Sequence, residues 1–202
     1  MTLEAICISH ATGAGGATVG RAVAERLHFR YVDDEVIAEA AEWADLDPAH
    51  VADVERRKPL IARLLGQMGQ QGAVGLPTGD ATRSLPSDVD LRKLIAAVLG
   101  SFADQGSVVI VAHAASFALA GRDVLRVLVT ASPDTRAARV AAERKVEERT
   151  AARLLKDEDA GRADYLKRFY DFDRELPTHF DIVVNTDVLT LAGAADVIVA
   201  AA

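Results

Sequence analysis

The residues with the most evident chemical potential lie near the start of the chain, in the passage Ile8-Ser9-His10-Ala11-Thr12-Gly13-Ala14-Gly15-Gly16-Ala17-Thr18-Val19-Gly20-Arg21. Glycines at 13, 15 and 16 permit a tight turn, so the backbone N–H groups of Gly13, Ala14, Gly15, Gly16 and Ala17 can wrap a phosphate. The positive end of a following helix would favour the same anion. Thr18 offers a hydroxyl that can cap that helix, bind phosphate or meet Mg²⁺. Two nucleotide-binding signatures are each narrowly missed. In the phosphate-loop signature Gly16 stands at the lysine position, followed by Ala17 and then Thr18. In the dinucleotide signature Thr18 replaces the third glycine, although Asp33, twenty residues after Gly13, keeps a ribose-binding carboxylate in play. Phosphate binding, dinucleotide binding and a purely structural turn are the three readings of the passage.

Other groups carry weaker signals. Asp33 and Asp34 close a short apolar run, where a carboxylate would stand at the ligand-binding edge of an α/β sheet or cap the next helix. Arg149, Arg153 and Lys156 are spaced to share one helical face, either as a cationic stripe or as a solvated surface laced with ion pairs. His10 precedes the glycines and reads equally as local packing. His28, His50 and His179, with the lone Cys7, form no zinc-ligand spacing.

The elements that must position these groups follow from apolar spacing. Leu3 to Ser9 predicts a first strand and Thr18 to Leu27 a helix, with Phe29 to Val32 a second strand. Helices are expected from Asp34 to Trp43 and from Asp47 to Arg57. The glycines from Gly66 to Gly79 suit a mobile loop. A helix beginning at Asp90, strands at Val108–Val111 and Leu125–Val129, a helix capped by Ser132-Pro133, Arg/Glu-rich helices to Arg168, a strand at Ile182–Val184 and a helix capped by Thr190 complete the series. Five strands alternating with helices predict an α/β domain with a mainly parallel sheet. The length of 202 residues suits one domain, and the net charge of −7, from 23 basic and 30 acidic residues, argues against binding nucleic acid by charge. No run of 18 uncharged apolar residues predicts a membrane span and no signal peptide is evident, so a cytoplasmic location without a membrane partner is expected. One cysteine excludes an intrachain disulfide.

Taken in order, several passages together resemble the cytidylate-kinase-like branch of the nucleoside monophosphate kinases. They are Ile8-Ser9 with Gly13-Ala14-Gly15-Gly16, Tyr31-Val32-Asp33-Asp34, Val108 to Ala118, Leu128 to Pro133, Leu155 to Arg162, Phe169-Tyr170 and Asp181 to Thr186. The resemblance implies a P-loop kinase-like three-layer sandwich, with a five-stranded sheet, helices on both faces and a small helical lid. It places one domain over residues 1–202, with a variable acceptor-side region at 34–90 and a lid region at 139–165. It also implies ATP and Mg²⁺ as cofactors. Gly13 through Thr18, with Arg21, would hold the donor phosphates, and Thr18 and Asp33 would serve the metal. Asp33 would also assist the acceptor, while Arg139, Arg144, Arg153, Lys156 and Arg162 would clamp the transferring phosphoryl group. Asn185 and Thr186 would approach the donor base. The chain departs from true cytidylate kinases at Gly16, where they carry lysine, although the looser cytidylate-kinase-like branch often shows a similar glycine pair, and it departs from related sequences at Ala112-His113-Ala114, where Gly-Arg-Gly is usual.

Three routes remain for the missing charge: Arg21 reaching back, lid arginines closing over the phosphates, or nucleotide binding without transfer. The expected function is therefore ATP-dependent phosphoryl transfer to a nucleoside monophosphate or similar small acceptor. The alternatives are a non-catalytic nucleotide-binding regulator or interaction protein and, ranked lower, an NAD-binding oxidoreductase. The expected partner is a small nucleotide, and a homodimer is compatible with the sequence.

Overall fold

In the computed structural model, which describes residues 5–33, 88–112 and 114–202, the first apolar run forms strand β1 (Ala5–His10) and leads through the glycines into helix α1 (Gly16–Leu27). The remaining described elements are β2 (Arg30–Val32), α2 (Asp88–Gln105), β3 (Val108–Val111), the short α3 (Ala115–Ala118), β4 (Leu125–Thr130), α4 (Pro133–Arg144), α5 (Glu148–Tyr170), a 3₁₀ turn at Pro177–His179, β5 (Ile182–Asn185) and α6 (Leu191–Ala201). The helices expected at Asp34–Trp43 and Asp47–Arg57, the glycine-rich stretch Gly66–Gly79, Asp34 and His113 lie outside the described residues.

The five strands form one sheet in the order β2-β3-β1-β4-β5, with every pairing parallel. Side chains alternate across a strand, and register makes the alternation coherent. Ala5 pairs with Val108 and Cys7 with Ile110, and these four join α2, α3 and the C-terminal part of α5 in one core. Ile6 and Ile8, with Val109, Val111, Val127 and Val129, face the other way onto α1 and α6. The result is three layers with β1 at the centre. Cys7 is fully buried there, and burial first, then the charge of Glu175, pushes its thiol up to about 12. A thiol that stays protonated is inert.

Helices α4 and α5 form a hairpin through the left-handed Lys145, with a small core of their own around Val140 and Leu155. The far end of α5 is anchored in the main core by Tyr165, Leu166 and Phe169. The hairpin therefore projects from the sheet while its base is fixed. Ser132 caps α4 with Pro133 at the first helical position, and Thr190 caps α6, as the sequence predicts. Helix α1 begins two residues earlier than expected. Its N-cap is Gly15, whose left-handed φ of 85° needs no side-chain cap, so Thr18 does not cap the helix. Among the described residues no helix is long and apolar enough to cross a membrane.

Candidate phosphate-binding site

The turn from β1 into α1 stands at the C-terminal edge of a parallel sheet, where α/β folds place their ligands. Ala14 N–H closes the turn on the Ala11 carbonyl at 2.9 Å, and Ala11 N–H ties it to Val129 of β4 at 3.2 Å. Gly13 and Gly15 both hold positive φ, and a Cβ on Gly13 would lie 2.8 Å from the carbonyl oxygen of Arg136. The first intrahelical bond of α1 runs from Val19 N–H to Gly15 O at 3.0 Å. The N–H groups of Gly16, Ala17 and Thr18 therefore precede the helical ladder.

The carbonyls of the same turn are accounted for one by one. Arg162 donates to His10 O, Ala14 N–H to Ala11 O, and Arg136 Nε to Thr12 O at 2.7 Å. Arg139 donates to Gly13 O at 3.3 Å and to Ala14 O at 3.4 Å. The Thr186 hydroxyl donates to Ala14 O at 2.9 Å, and Val19 N–H takes Gly15 O. Six consecutive carbonyls thus have donors, and three arginines supply charge-assisted ones. These donors surround the carbonyl side of the turn with positive charge and hold its backbone in shape, while the amides of Gly16, Ala17 and Thr18 stand outside the helical ladder.

Each arginine has a distinct second partner. Arg136, 7% exposed, makes a two-bond pair with Asp159 at 2.7 and 3.0 Å. Arg139 continues to Thr186 Oγ1 at 2.8 Å and Thr186 O at 2.7 Å, and Thr186 is fully buried. Arg162 forks onto Glu175 through Nη2 and Nε at 2.6 and 2.9 Å, both side chains being largely buried. Arg136, Arg162, Arg174, Asp159 and Glu175 line a pocket of about 230 Å³ that reaches Ala11 of the turn.

The structure brings some of the expected residues together and separates others. Gly13 to Thr18, Arg139, Arg162 and Thr186 converge on the turn. Arg144 lies at the last position of α4, about 12 Å along the helix from Arg136 at 1.5 Å per residue, and pairs with Glu158 at 3.0 Å. Arg153 is exposed on α5, and Lys156 lines a separate hollow of about 220 Å³ between α4 and α5. Arg21 lies over the Tyr31 ring, 4.3 Å from its centroid, rather than reaching back to the glycines. Tyr31 Oη in turn donates to Asp33 at 2.8 Å, so Arg21, Tyr31 and Asp33 form a second cluster at the end of β2. Thr18 is exposed on the first turn of α1, where its hydroxyl is open to solvent.

Arg136 and Glu175 join the site with no sequence expectation behind them, and His10 packs locally, as one of its two readings expects. A signal for Arg136 existed: it stands three residues before Arg139, in the first turn of a helix with an explicit Ser-Pro start. The His10 ring rests on Gly16, where an added Cβ would overlap its Cβ and Cγ. Its Nδ1 donates to Ala11 O at 3.3 Å. Burial, the largest influence, and then the Arg162 charge hold this imidazole below its usual range, against opposing effects of the Ala11 bond and Asp33.

The comparisons with known proteins agree with this architecture. A protein of Eubacterium ventriosum has a solved structure that matches at a TM-score of 0.68 with 18% identity, covering 98% of this chain and 96% of that one. Shikimate kinase from Bacteroides thetaiotaomicron matches at a TM-score of 0.50 with 15% identity over 96% of this chain and 95% of its own. These likenesses are of fold: a five-stranded parallel α/β sheet of the shikimate-kinase, P-loop type. In sequence, the chain is 24% identical over 186 residues to the cytidylate kinase of Methanocorpusculum labreanum, covering 92% of this chain and 88% of that protein. Family and relative together support a nucleotide-binding, kinase-like role. The pattern of the cytidylate kinase-like family matches residues 5–188, and the chain belongs to that family.

Proposed function

We propose that this protein is a phosphotransferase that moves the γ-phosphoryl group of ATP to a nucleoside monophosphate or a similar small acceptor. The observation that carries the reading is the set of six satisfied carbonyls from His10 to Gly15, which fixes the turn beside a pocket lined by Arg136, Arg162 and Arg174 that reaches Ala11. Phosphoryl transfer asks for alignment and charge neutralisation more than for covalent chemistry, and this arrangement is suited to both. Amides of Gly13 through Thr18 would hold the donor phosphates. Arg162 would face the transferring group, and Arg136 and Arg139 would keep the loop in shape.

The donor groups also suit a magnesium ion, which keeps most of its waters and needs few protein oxygens. Among the described residues no cluster of three His, Cys, Asp or Glu side chains offers a dedicated cage. The exposed Thr18 hydroxyl would hold the ion beside the phosphates, and Asp33 would orient one of its waters. When bound, the ion would neutralise the bridging oxygens. In this reading one domain spans residues 1–202, with the acceptor side drawn from 34–90 and the lid from 139–165, in a cytoplasmic protein.

The test is ADP formation from ATP and Mg²⁺ across a panel of nucleoside monophosphates. Turnover above background with at least one acceptor is expected, and none with any acceptor would refute catalysis. A non-catalytic nucleotide sensor is the second reading. It is favoured by Gly16 in the lysine position and by the prior engagement of Arg162 with Glu175. Calorimetric binding of ATP without turnover would select it.

A further inference from the structure

The lysine-bearing phosphate loop follows the spacing G-x-x-x-x-G-K. With Gly15 as its second glycine, its first glycine falls at position 10 and its lysine at position 16. The chain departs from the pattern at both positions, with His10 in place of glycine and Gly16 in place of lysine. These two residues touch. The His10 ring lies where any side chain on residue 16 would begin, and the atoms in the way are its Cβ and Cγ, not the far end of a flexible chain. A lysine at 16 is incompatible with histidine at 10, and glycine at 10 would leave the space above Gly16 empty.

The exchange removes a fixed charge without returning one. The half-buried imidazole, which desolvation holds below its usual range, contributes volume and no charge at neutral pH. A cation nevertheless arrives at the same residue from another element. Arg162 of α5 donates to the backbone carbonyl of His10, and its guanidinium lines the pocket that reaches Ala11. The base of α5 is locked into the core by Tyr165, Leu166 and Phe169, so this head is held on a fixed part of the helix.

We propose that His10 and Gly16 are a reciprocal exchange of the loop's glycine and lysine, and that Arg162 supplies from α5 the positive charge that the loop itself has given up. The inference rests on the phosphate-binding reading and deepens it by naming the residue that replaces the lysine. It makes the two substitutions interdependent, and it makes the need for Arg162 conditional on them.

The experiment uses the full chain with G16K, H10G and H10G/G16K, and R162A in the wild-type and H10G/G16K backgrounds. Thermal melting and calorimetric binding of ATP and inorganic tripolyphosphate are the readouts. G16K should melt about 5 °C or more below wild type through overpacking, and H10G/G16K should recover most of that loss. R162A should weaken tripolyphosphate about 30-fold in the wild-type background and less than about 5-fold in H10G/G16K, where the new lysine takes over. G16K melting with wild type would overturn the pairing. An equal loss from R162A in both backgrounds would overturn the transfer of charge. If the wild type binds neither ATP nor tripolyphosphate, the proposed function falls, while the melting series still decides whether residues 10 and 16 are matched.

Discussion

Of the three arginines that donate to the glycine turn, Arg139 and Arg162 differ most in what else they hold. Arg139 meets the carbonyls of Gly13, Ala14 and Thr186 and the Thr186 hydroxyl. Arg162 meets one carbonyl of the turn and otherwise forks onto the carboxylate of Glu175. Carbonyls of the main chain cannot leave, so Arg139 is a permanent staple. A carboxylate on a neighbouring loop is itself an anion, and a phosphate can compete for the same guanidinium. In the proposed function the same residue type would serve shape on one flank and ligand charge on the other. This revises the expectation that both act as clamps, because the bonds of Arg139 to the main chain suit positioning better than contact with a transferring group.

The contrast can be broken most forcefully at Arg162. R162A should lower turnover about 10²- to 10³-fold in the ADP-formation assay, the range seen when one preorganised charged donor is lost. Unchanged turnover would remove Arg162 from the site. R139A should act on stability, costing about 2–3 kcal/mol because several buried carbonyls lose a charged donor. A melting temperature lowered by roughly 5–10 °C follows for a chain of this size, and a variant that melts with wild type would erase the distinction between the flanks.

A finer test is E175Q, which keeps the size of the side chain and removes its charge. If Glu175 competes with phosphate, tripolyphosphate should bind about 5-fold more tightly, by the ordinary scale of a weakened ion pair. Weaker binding would instead make Glu175 a support for Arg162. The smallest effect concerns pH. The imidazole of His10 is held below its usual value in the folded chain, so the unfolded chain takes up the proton first. Stability is then fully present above about 6.5 and falls as pH drops from there towards the depressed folded value. H10N should flatten that part of the melting profile, and an unchanged slope would show that another group is responsible.

Much of the frame was legible because it depends on local pattern. Unbroken runs such as Val108–Val111 must be buried on both faces, which is how a central parallel strand reads. Ser132-Pro133 and Thr190 announce their helices by side-chain chemistry. The start of α1 was misplaced for the complementary reason: Gly15 caps through backbone conformation alone, and the hydroxyl of Thr18 drew attention to a later position. The site was less legible because its decisive contacts join residues distant in sequence. Arg136 and Arg139 reach the turn from more than 120 positions away, and Arg162 from still farther. The contact of His10 with Gly16 is nearer, yet it becomes visible only once the backbone brings a ring over an α-carbon.

Thr186, which locks the Ala14 carbonyl and shares Arg139, directly follows the final strand. The turn it secures is translated 172 residues before its fastener. A nascent or C-terminally truncated chain holds the glycines without the clasp that gives them their shape. The shape of the turn is thereby tied to synthesis of the chain as far as the residue that follows β5.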